Sequence, residues 1–506
     1  MGENGKEVVG ELVRRLTGKR MVVSADLDVG SLNLGNIDTL AERLIQNNES
    51  AEGIHIVTNE EVVRTLELIR NEKIPAPVEV LRSSEYKPLA KEVEADYQIR
   101  GYDIGYSDGS INSFIGYFND RLDRIRAIIK QRESVAQTLK DIESIKSYND
   151  GKEICIIGMV RSKQITKNKN MLVELDDSTG SAKVVFMNRM DRNGNNLYDK
   201  ATSIVYDEVI AVKGKISGEL VIASDMVWPD IPIKRHKQVD EDIAIAFISD
   251  IHFGSRNFME RSFRNMVGWL NGGVERDRRI AEKVKYLMIG GDVADGIGVY
   301  PGQERDLSIM DMHTQYKILA DYIEAIPDYI HVFIIPGNHD SVQRAEPQPS
   351  FPEELVEMRM SNVHLLPNPS YITVHGVDIL SYHGTSLDSV ISSIPGSSYS
   401  RPEKAMIEIL KRRHLSPIYG GNVIVPSRKD NLVIDRIPDV LHMGHIHKVG
   451  MDTYHGVDIV NSGTWQARTD FQIRQGHIPT PCIMPVLEAK EHRFSNIDFG
   501  VKDEDA

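Results

Sequence analysis

Short apolar runs that end in polar residues dominate the second half of the chain. Six such runs predict buried strands, because they are rich in aliphatic and β-branched residues. They are AIAFIS (244–249), VKYLMIGG (284–291), HVFIIPG (331–337), VDILSY (377–382), PDVLHMG (438–444) and GVDIVNSG (456–463). Sites in sheet-based proteins commonly lie at the carboxyl ends of strands, so we expect the polar residues after these runs to meet.

The hydrophobic pattern differs in the first half of the chain. Residues 1–72 carry apolar side chains at helical spacing and predict a small helical domain. Residues 73–149 predict a linker with several Pro, Ser and Gly residues, followed by an amphipathic helix that starts at Ile111. Residues 150–232 hold five strand-like runs between turn signals and predict a closed barrel, with the OB-fold as the leading candidate. Strand–loop–helix alternation over 241–495 completes a predicted α+β fold class.

A basic segment follows the first strand of the predicted barrel. Arg161, Lys163, Lys167 and Lys169 stand there among Ser, Thr and Asn residues. Such a segment is able to follow a phosphate backbone, but a solvated basic turn explains it equally well. The barrel also lacks an evident series of exposed aromatic residues. Nucleic-acid binding and partner docking therefore both remain open for this domain.

Composition limits the classes of protein that the chain resembles. Its 506 residues are 41% hydrophobic and carry a formal net charge of −14, so nucleic acid would need local basic patches, metal ions or a partner chain. Cys155 and Cys482 are far apart and predict neither a disulfide framework nor a Cys-based zinc site. The chain shows no apolar signal core and no run near the roughly 20 apolar residues of a membrane span. We therefore expect a soluble, cytoplasmic protein without membrane contact.

The polar residues after the strand-like runs have the chemistry of metal ligands. The candidates are Asp250, His252, Asp292, Asn338, His383, His445 and His447. Each short motif alone is a weak signal, but their joint occurrence within one segment of about 200 residues predicts a two-metal centre. Mixed nitrogen and oxygen ligands with few charges favour Mn²⁺, Fe²⁺, Zn²⁺ or Ni²⁺ over Mg²⁺ or Ca²⁺. Of the sixteen histidines, the eleven other than these four and His339 receive no role.

Residue spacing suggests how the ligands divide between two ions. Asp250 and His252 are separated by one residue and are assigned to one ion. His447 is assigned to the same ion. Asp292 has no such neighbour, which suits a carboxylate that bridges both ions. A pair of ions about 4 Å apart is able to activate water and to hold a phosphoryl group during in-line displacement.

The second ion is assigned to Asn338, His383 and His445, which leaves one neighbouring histidine without a metal. His339 stands next to Asn338 and is predicted to donate a proton to the leaving oxygen or to stabilise its charge. Asp340 is predicted to orient His339, with a cap at the strand end as the alternative. These two residues are the catalytic candidates.

The order of these motifs resembles a known family. DxH, GDxxD, GNHD, a single His and GHxH, in this order, are similar to the calcineurin-like metallophosphoesterases. The resemblance implies a two-sheet β-sandwich flanked by helices, with a dinuclear centre between the sheets. All metal ligands of that family have a matching residue in this sequence.

A narrower resemblance follows from the barrel and from three segments. An OB-fold directly before a phosphoesterase domain resembles the small B-type subunits of replicative DNA polymerases. The segments 412–447, 461–472 and 479–486 resemble the small subunits of archaeal D-family DNA polymerases. This resemblance implies a 3′→5′ proofreading exonuclease that acts on single-stranded or mismatched DNA 3′ ends. It also implies two divalent ions, Mn²⁺ above all, and a large catalytic polymerase subunit as partner.

Some questions stay open at this point. Arg412, Arg413, Tyr419 and Arg428 lie in the family-specific segment as candidates for phosphate contact, with a fold-supporting role as the alternative for each. Two other functions also fit the chain. One is a non-catalytic scaffold subunit of a polymerase, and the other is a free-standing metallophosphoesterase.

Overall fold

The computed structural model describes residues 3–17, 19, 21–24, 37–47, 55–72, 79–100, 107–190, 194, 196–352, 354–356, 358 and 360–501. The N-terminal unit contains three helices and a pair of short parallel strands: α1 Glu3–Leu16, β1 Met21–Val23, α2 Ile37–Asn47, β2 His55–Val57 and α3 Asn59–Glu72. Leu12, Leu16, Leu40 and Leu44 form its core, as their helical spacing predicts. The sequence predicts the helices of this unit but not the β1–β2 strand pair.

Part of the predicted linker is a strand. Residues 73–78 and 101–106 lie outside the described residues. Between them, strand β3, Tyr97–Arg100, pairs antiparallel with residues 371–374. The predicted linker segment thus contains a strand that the sequence does not indicate, because YQIR is short and its partner is about 270 residues away in sequence. The predicted amphipathic helix is present as α4, Ile111–Lys130, and α5 follows at Glu133–Ala136.

Five strands form a closed barrel, as the turn signals predict. The elements are β4 Glu153–Ile165, β5 Met171–Asp177, β6 Gly180–Phe186, α6 Leu197–Thr202, β7 Val209–Ser217 and β8 Leu220–Val227. The strand order is β4-β5-β6-β8-β7, and β7 closes the barrel against β4. Arg161 and Lys163 lie on β4 rather than in a loop. Lys163 Nζ donates to the carbonyls of Thr202 and Ile204, at 3.2 and 2.5 Å, so it is not a free phosphate contact.

The remaining strands form two six-stranded sheets. The first sheet has the order β12-β11-β10-β9-β18-β19 and the second sheet β16-β17-β15-β14-β13-β3. The strands of the first sheet are β9 Ala244–Ile248, β10 Val284–Gly290, β11 His331–Ile335, β12 Val363–Leu365, β18 Ile483–Glu488 and β19 Arg493–Asp498. Those of the second are β13 Ser370–Val374, β14 Val377–Ser381, β15 Val440–Met443, β16 Val449–Tyr454 and β17 Val457–Ser462, together with β3.

The two sheets pack face to face, and helices cover their outer faces. Side chains from both sheets share one apolar core, which includes Phe247, Met288, Phe333, Ile379 and Val460. The helices are α7 Glu260–Leu270, α8 Arg278–Ala281, α9 Met312–Glu324, α10 Leu387–Ser393, α11 Pro402–Arg412 and α12 Asp470–Gln475. α7 and α9 pack on the first sheet, and α10 and α11 on the second. The predicted mixture of helices and sheets is therefore confirmed. Among the described residues, no helix is both long and apolar enough to span a bilayer.

A buried ion pair connects α4 to the 412–447 segment. Arg121 Nε donates to Asp430 Oδ2 at 2.7 Å, and both side chains are at most 1% exposed. His414 Nε2 lies 2.8 Å from the same carboxylate oxygen. Burial raises the pKa of Asp430, but His414 and Arg121 outweigh burial and hold this pKa well below its usual range. The carboxylate is therefore charged and depends on its partners.

Replacement of Arg121 with alanine is expected to destabilise the protein. Arg121→Ala leaves a buried carboxylate without its guanidinium, which costs about 3–5 kcal/mol. Unfolding in guanidinium chloride, followed by tryptophan fluorescence, measures this loss. The matched control is Arg161→Ala, whose side chain is 62% exposed and whose ion pairs are 3.8 Å long. That control is expected to change stability by less than about 0.5 kcal/mol, and equal losses in both variants would contradict the assignment.

Candidate metal centre

The predicted ligands meet at one edge of the two sheets. Asp250 and Asp292 stand two residues beyond β9 and β10, and Asn338 stands three beyond β11. From the second sheet, His383 and His445 each stand two residues beyond β14 and β15. Parallel pairing of β9, β10 and β11 brings the carboxyl ends of these strands to the same edge. The structure therefore places together the residues that the strand pattern predicts to meet.

Five of the seven predicted ligands have a left-handed backbone. The φ angles are 52° at Asp250, 56° at His252, 50° at Asp292, 67° at His445 and 58° at His447. Residues other than glycine rarely adopt this region, and each instance costs on the order of 1–3 kcal/mol. Such strain persists only where the surrounding structure imposes it, and it clusters at functional sites. The sharp turn at each strand end directs the ligand side chain toward its neighbours.

The first ligand group contains Asp250, His252 and His447. His447 Nε2 lies 3.3 Å from Asp250 Oδ1 and 3.1 Å from His252 Nε2. His252 Nδ1 lies 2.8 Å from Asp295 Oδ1, and donation of its proton there leaves the Nε2 lone pair facing the group. The Gln472 side-chain amide hydrogen-bonds His447 Nδ1 at 2.9 Å. Polar partners outside the group therefore hold both imidazoles in orientation.

The second ligand group contains Asn338, His383 and His445. His383 Nε2 lies 3.0 Å from Asn338 Oδ1, while its Nδ1 lies 2.8 Å from the carbonyl oxygen of Gly290. Ligand atoms of Asp292, His383 and His445 all lie within 4.8 Å of one another. His445 Nε2 is held by Asp388 Oδ2 at 2.9 Å. A carboxylate or carbonyl on the second ring nitrogen is the usual environment of a metal-binding histidine.

Asp292 connects the two groups. Its Oδ2 lies 3.2 Å from His383 Nε2 and 4.0 Å from His252 Nε2, and its side chain is 2% exposed. Its Oδ1 accepts a hydrogen bond from the backbone N–H of His339 at 2.7 Å. A Cβ atom at Gly337 would clash with this carboxylate, so glycine is required there. Asp292 therefore lies between the two ligand groups, and its bridging of two ions stays a prediction.

His339 and Asp340 form hydrogen bonds with different partners and not with each other. His339 Nδ1 lies 2.8 Å from the backbone oxygen of Asp295, which fixes the ring at the edge of the cluster. Asp340 accepts from the backbone N–H groups of Gly337, Val293 and Ala294, and from the Tyr316 hydroxyl. The group on His339 Nδ1 is thus a carbonyl, not Asp340 as predicted. Asp340 instead ties the loops after β10 and β11 together, which is the alternative role of a strand-end cap.

The protein's own charges make the cluster attractive to cations. Burial alone lowers the pKa of His252, but Asp295, Asp292 and Asp250 outweigh burial and raise it to about 9. Burial also opposes a charge on His383, and Asp292 and Asp250 raise its pKa to about 10. The same carboxylates that retain a proton on each imidazole favour a divalent cation in its place. The mixed carboxylate, amide and imidazole donors match borderline transition metals.

The cluster lies at the base of a cleft of about 320 Å³. Its walls include Tyr300, Tyr399, Phe471 and His477. Three residues that hold the ligands did not emerge as site residues from the sequence: Asp295, Asp388 and Gln472. Asp295 is the second carboxylate of the GDxxD motif. The sequence shows this motif but does not indicate that Asp295 hydrogen-bonds His252. Asp388 on α10 and Gln472 on α12 follow no motif, and only the fold brings them to the histidines.

The arginines of the family-specific segment divide into buried and exposed positions. Arg412 Nε pairs with Glu208 Oε2 at 2.6 Å, and Arg413 Nε donates to the carbonyl of Ile434 at 2.6 Å. Both side chains are buried, so phosphate contact is wrong for them and the fold-supporting alternative is correct. Tyr419 and Arg428 are exposed.

Comparison with known proteins first identifies the class of protein to which the two-sheet region is similar. Residues 245–449, which include all seven predicted ligands, match the family model of the B-type subunit of DNA polymerases alpha and epsilon. The particular family follows from relatives that are similar along most of the chain.

Three relatives are each named DNA polymerase II small subunit. The protein from Archaeoglobus fulgidus is 42% identical over 74% of this chain and 74% of its own. Those from Methanocaldococcus jannaschii and Methanothermobacter thermautotrophicus are 39% and 40% identical, over 80% and 79% of this chain and 69% and 83% of theirs. The chain therefore belongs to the family of archaeal DNA polymerase II small subunits, which confirms the predicted resemblance.

Removal of the Asp295 carboxylate is expected to weaken binding of divalent metal. Asp295→Ala leaves His252 Nδ1 without its partner, and loss of such a partner lowers metal affinity about 10–100-fold. Asp295→Asn keeps an acceptor oxygen and is expected to lose less. Isothermal titration calorimetry with Mn²⁺ measures both. The matched control is Asp306→Ala, because Asp306 bonds the Tyr300 hydroxyl rather than a histidine. Wild-type affinity in Asp295→Ala would contradict the orienting role of this carboxylate.

Proposed function

We propose that the protein is a metal-dependent 3′→5′ exonuclease that hydrolyses phosphodiesters at DNA 3′ ends. In this proposal the barrel is an OB-fold, and the two-sheet unit is a calcineurin-like phosphoesterase. The single observation that carries the proposal is the convergence of seven predicted ligands from both sheets on one buried cluster. Buried Asp and His side chains are costly without a bound cation, so a purely structural role does not account for them.

The two ligand groups fit two divalent ions, with Asp292 between them. Asp250, His252 and His447 would hold one ion, and Asn338, His383 and His445 the other. Such ions, when bound, activate water at neutral pH and stabilise the charge that develops on a phosphoryl group. Manganese is the proposed metal, in keeping with the mixed nitrogen and oxygen donors.

The His339 imidazole is proposed to protonate the leaving oxygen. Its Nδ1 is engaged by the Asp295 carbonyl, so Nε2 remains for the substrate. Burial lowers the pKa of His339, although the Asp292 carboxylate opposes this shift. The protonated ring is therefore a stronger acid than a free imidazole, as transfer to a leaving alkoxide requires. His339 has no proposed role in holding metal.

The mouth of the cleft suits a single-stranded DNA end. Phe471 lies on the cleft wall with 52% of its surface exposed. The Tyr399 and His477 rings, which also line the cleft, stack with centroids 4.2 Å apart. Exposed aromatic rings bind unpaired bases by stacking, at about 1–3 kcal/mol per base. Arg468 and Arg474 are exposed on and beside α12, and are proposed to contact phosphates locally despite the negative net charge.

A large polymerase subunit is the proposed partner. The relatives are named small subunits of a DNA polymerase, and this chain matches them over about four fifths of its length. In such an assembly the exonuclease would remove mismatched or single-stranded 3′ ends that the polymerase subunit leaves. The two alternatives, a non-catalytic scaffold and a free-standing metallophosphoesterase, predict different substrate behaviour.

The proposed activity is tested with DNA labelled at the 5′ end. Single-stranded and 3′-mismatched duplex oligonucleotides are incubated with the protein and Mn²⁺, alone and with its large subunit. Progressive shortening from the 3′ end is the expected result. Absence of shortening together with absence of metal binding would favour the scaffold. Faster hydrolysis of p-nitrophenyl phosphate or a phosphopeptide than of DNA would favour the free-standing phosphoesterase.

Two adjacent substitutions are expected to separate metal binding from proton transfer. Asn338→Ala removes a ligand and is expected to lose metal and all hydrolysis. His339→Ala is expected to keep its metal content and to lose about 10²–10⁴-fold in rate. Metal content by mass spectrometry and single-turnover DNA cleavage provide the two measurements. His313→Ala, an exposed histidine on α9, is the control that should match wild type in both. Loss of metal in His339→Ala would overturn its assigned role.

A further inference from the structure

A second histidine–carboxylate cluster lies outside the cleft. It joins His236 of the connector after the barrel, Asp458 on β17 and His492 in the turn between β18 and β19. His492 Nε2 lies 2.9 Å from Asp458 Oδ2, and His236 Nδ1 lies 3.7 Å from the same oxygen. The two imidazole rings are adjacent, with centroids 3.8 Å apart and their planes tilted by 41°.

Two buried atoms of this cluster lack hydrogen-bond partners among the described residues. Asp458 is 3% exposed, and its Oδ1 accepts from the Thr453 hydroxyl at 2.9 Å. Within the described residues, Asp458 Oδ2 and His492 Nε2 have no hydrogen bond, because their short contact has the wrong geometry for one. A buried carboxylate oxygen without a partner is unfavourable, because it has lost its hydration and gained no hydrogen bond in return. A cation between these atoms removes that cost.

The three ligand atoms lie within 4.8 Å of one another, which is close enough for one metal ion to contact all of them. Metal–nitrogen and metal–oxygen bonds of about 2.0–2.2 Å place two tetrahedral ligands roughly 3.3–3.6 Å apart. The observed separations of 2.9 and 3.7 Å lie on either side of this value. Two imidazoles and one carboxylate are donors typical of Zn²⁺, Co²⁺ and Ni²⁺ rather than Mg²⁺ or Ca²⁺. The side chain of His236 is 38% exposed, so water has access to a fourth position.

We propose that His236, Asp458 and His492 bind a third divalent ion of the zinc class. Asp458 stands near the start of β17, whereas the cleft lies at its far end, beyond Ser462. At about 3.3 Å per residue, these two positions are about 13 Å apart. The ion would join the connector, the second sheet through Asp458 and the first sheet through His492. Its role is to lock the barrel connector against the edge of the sandwich, independently of the chemistry in the cleft.

The test uses the full chain with the cleft site disabled by Asp292→Ala. After removal of metal with a chelator, the protein is dialysed against Zn²⁺, and bound metal is measured by mass spectrometry. One equivalent of zinc is expected in this background. His236→Ala or His492→Ala added to it should remove that equivalent, whereas His313→Ala should retain it. Loading with Co²⁺ should give the visible absorption of a four-coordinate site, which is lost in the same two variants.

A thermal scan gives an independent reading of the same site. Zinc should raise the melting temperature of the Asp292→Ala protein and should not raise that of its His236→Gln derivative. His236 is partly exposed, so this derivative is expected to fold. A background protein that binds no zinc would overturn the proposal. So would a bound zinc that remains after both histidine substitutions. Neither result depends on whether the cleft hydrolyses DNA.

Discussion

The buried carboxylate of Asp292 is the constraint on which the rest of the site depends. It lies within 4 Å of imidazoles from both ligand groups, and solvent screens its charge only weakly because its side chain is 2% exposed. Asp250 adds a second buried negative charge beside it. Concentrated negative charge of this kind is stable only with protons or cations close by. His252 and His383 meet the first requirement: burial opposes a charge on each ring, but the neighbouring carboxylates outweigh burial and raise both pKa values.

The fold meets this constraint with rigid strands and strained turns. Strands from two packed sheets end at the same edge, and left-handed residues turn the chain immediately beyond them. Gly337 and Gly444 leave room for the Asp292 and Asp250 carboxylates, where a Cβ atom would clash. Outside the ligands, Asp295, Asp388 and Gln472 hold the imidazoles. Strain at the turns is thus compensated by packing of the sheets and by these hydrogen bonds.

The sequence indicates the side chains that gather in the candidate site more readily than the distant residues that hold them, for a physical reason. Strand-end motifs such as GNHD are local, so the apolar run and the ligands after it are read together. The five barrel strands are equally local, and all five are present. Contacts between distant segments leave no such signal. Examples are β3 against β13, Asp388 against His445, and His236 against His492, each of which only the folded chain brings together. The sequence also does not reveal that Arg412 and Arg413 are buried. Their charges suggest a surface position, but Arg412 pairs with Glu208 and Arg413 donates to a backbone carbonyl inside the protein.

Anomalous diffraction from crystals grown with Mn²⁺ would show whether Asp292 lies between two bound ions. Data collected just above the manganese absorption edge locate each ion without reference to activity. Two peaks are expected in the cleft, one in each ligand group, with the Asp292 carboxylate within coordination distance of both. A single peak remote from Asp292, or no peak while the same side chains bond only to one another, would contradict that expectation.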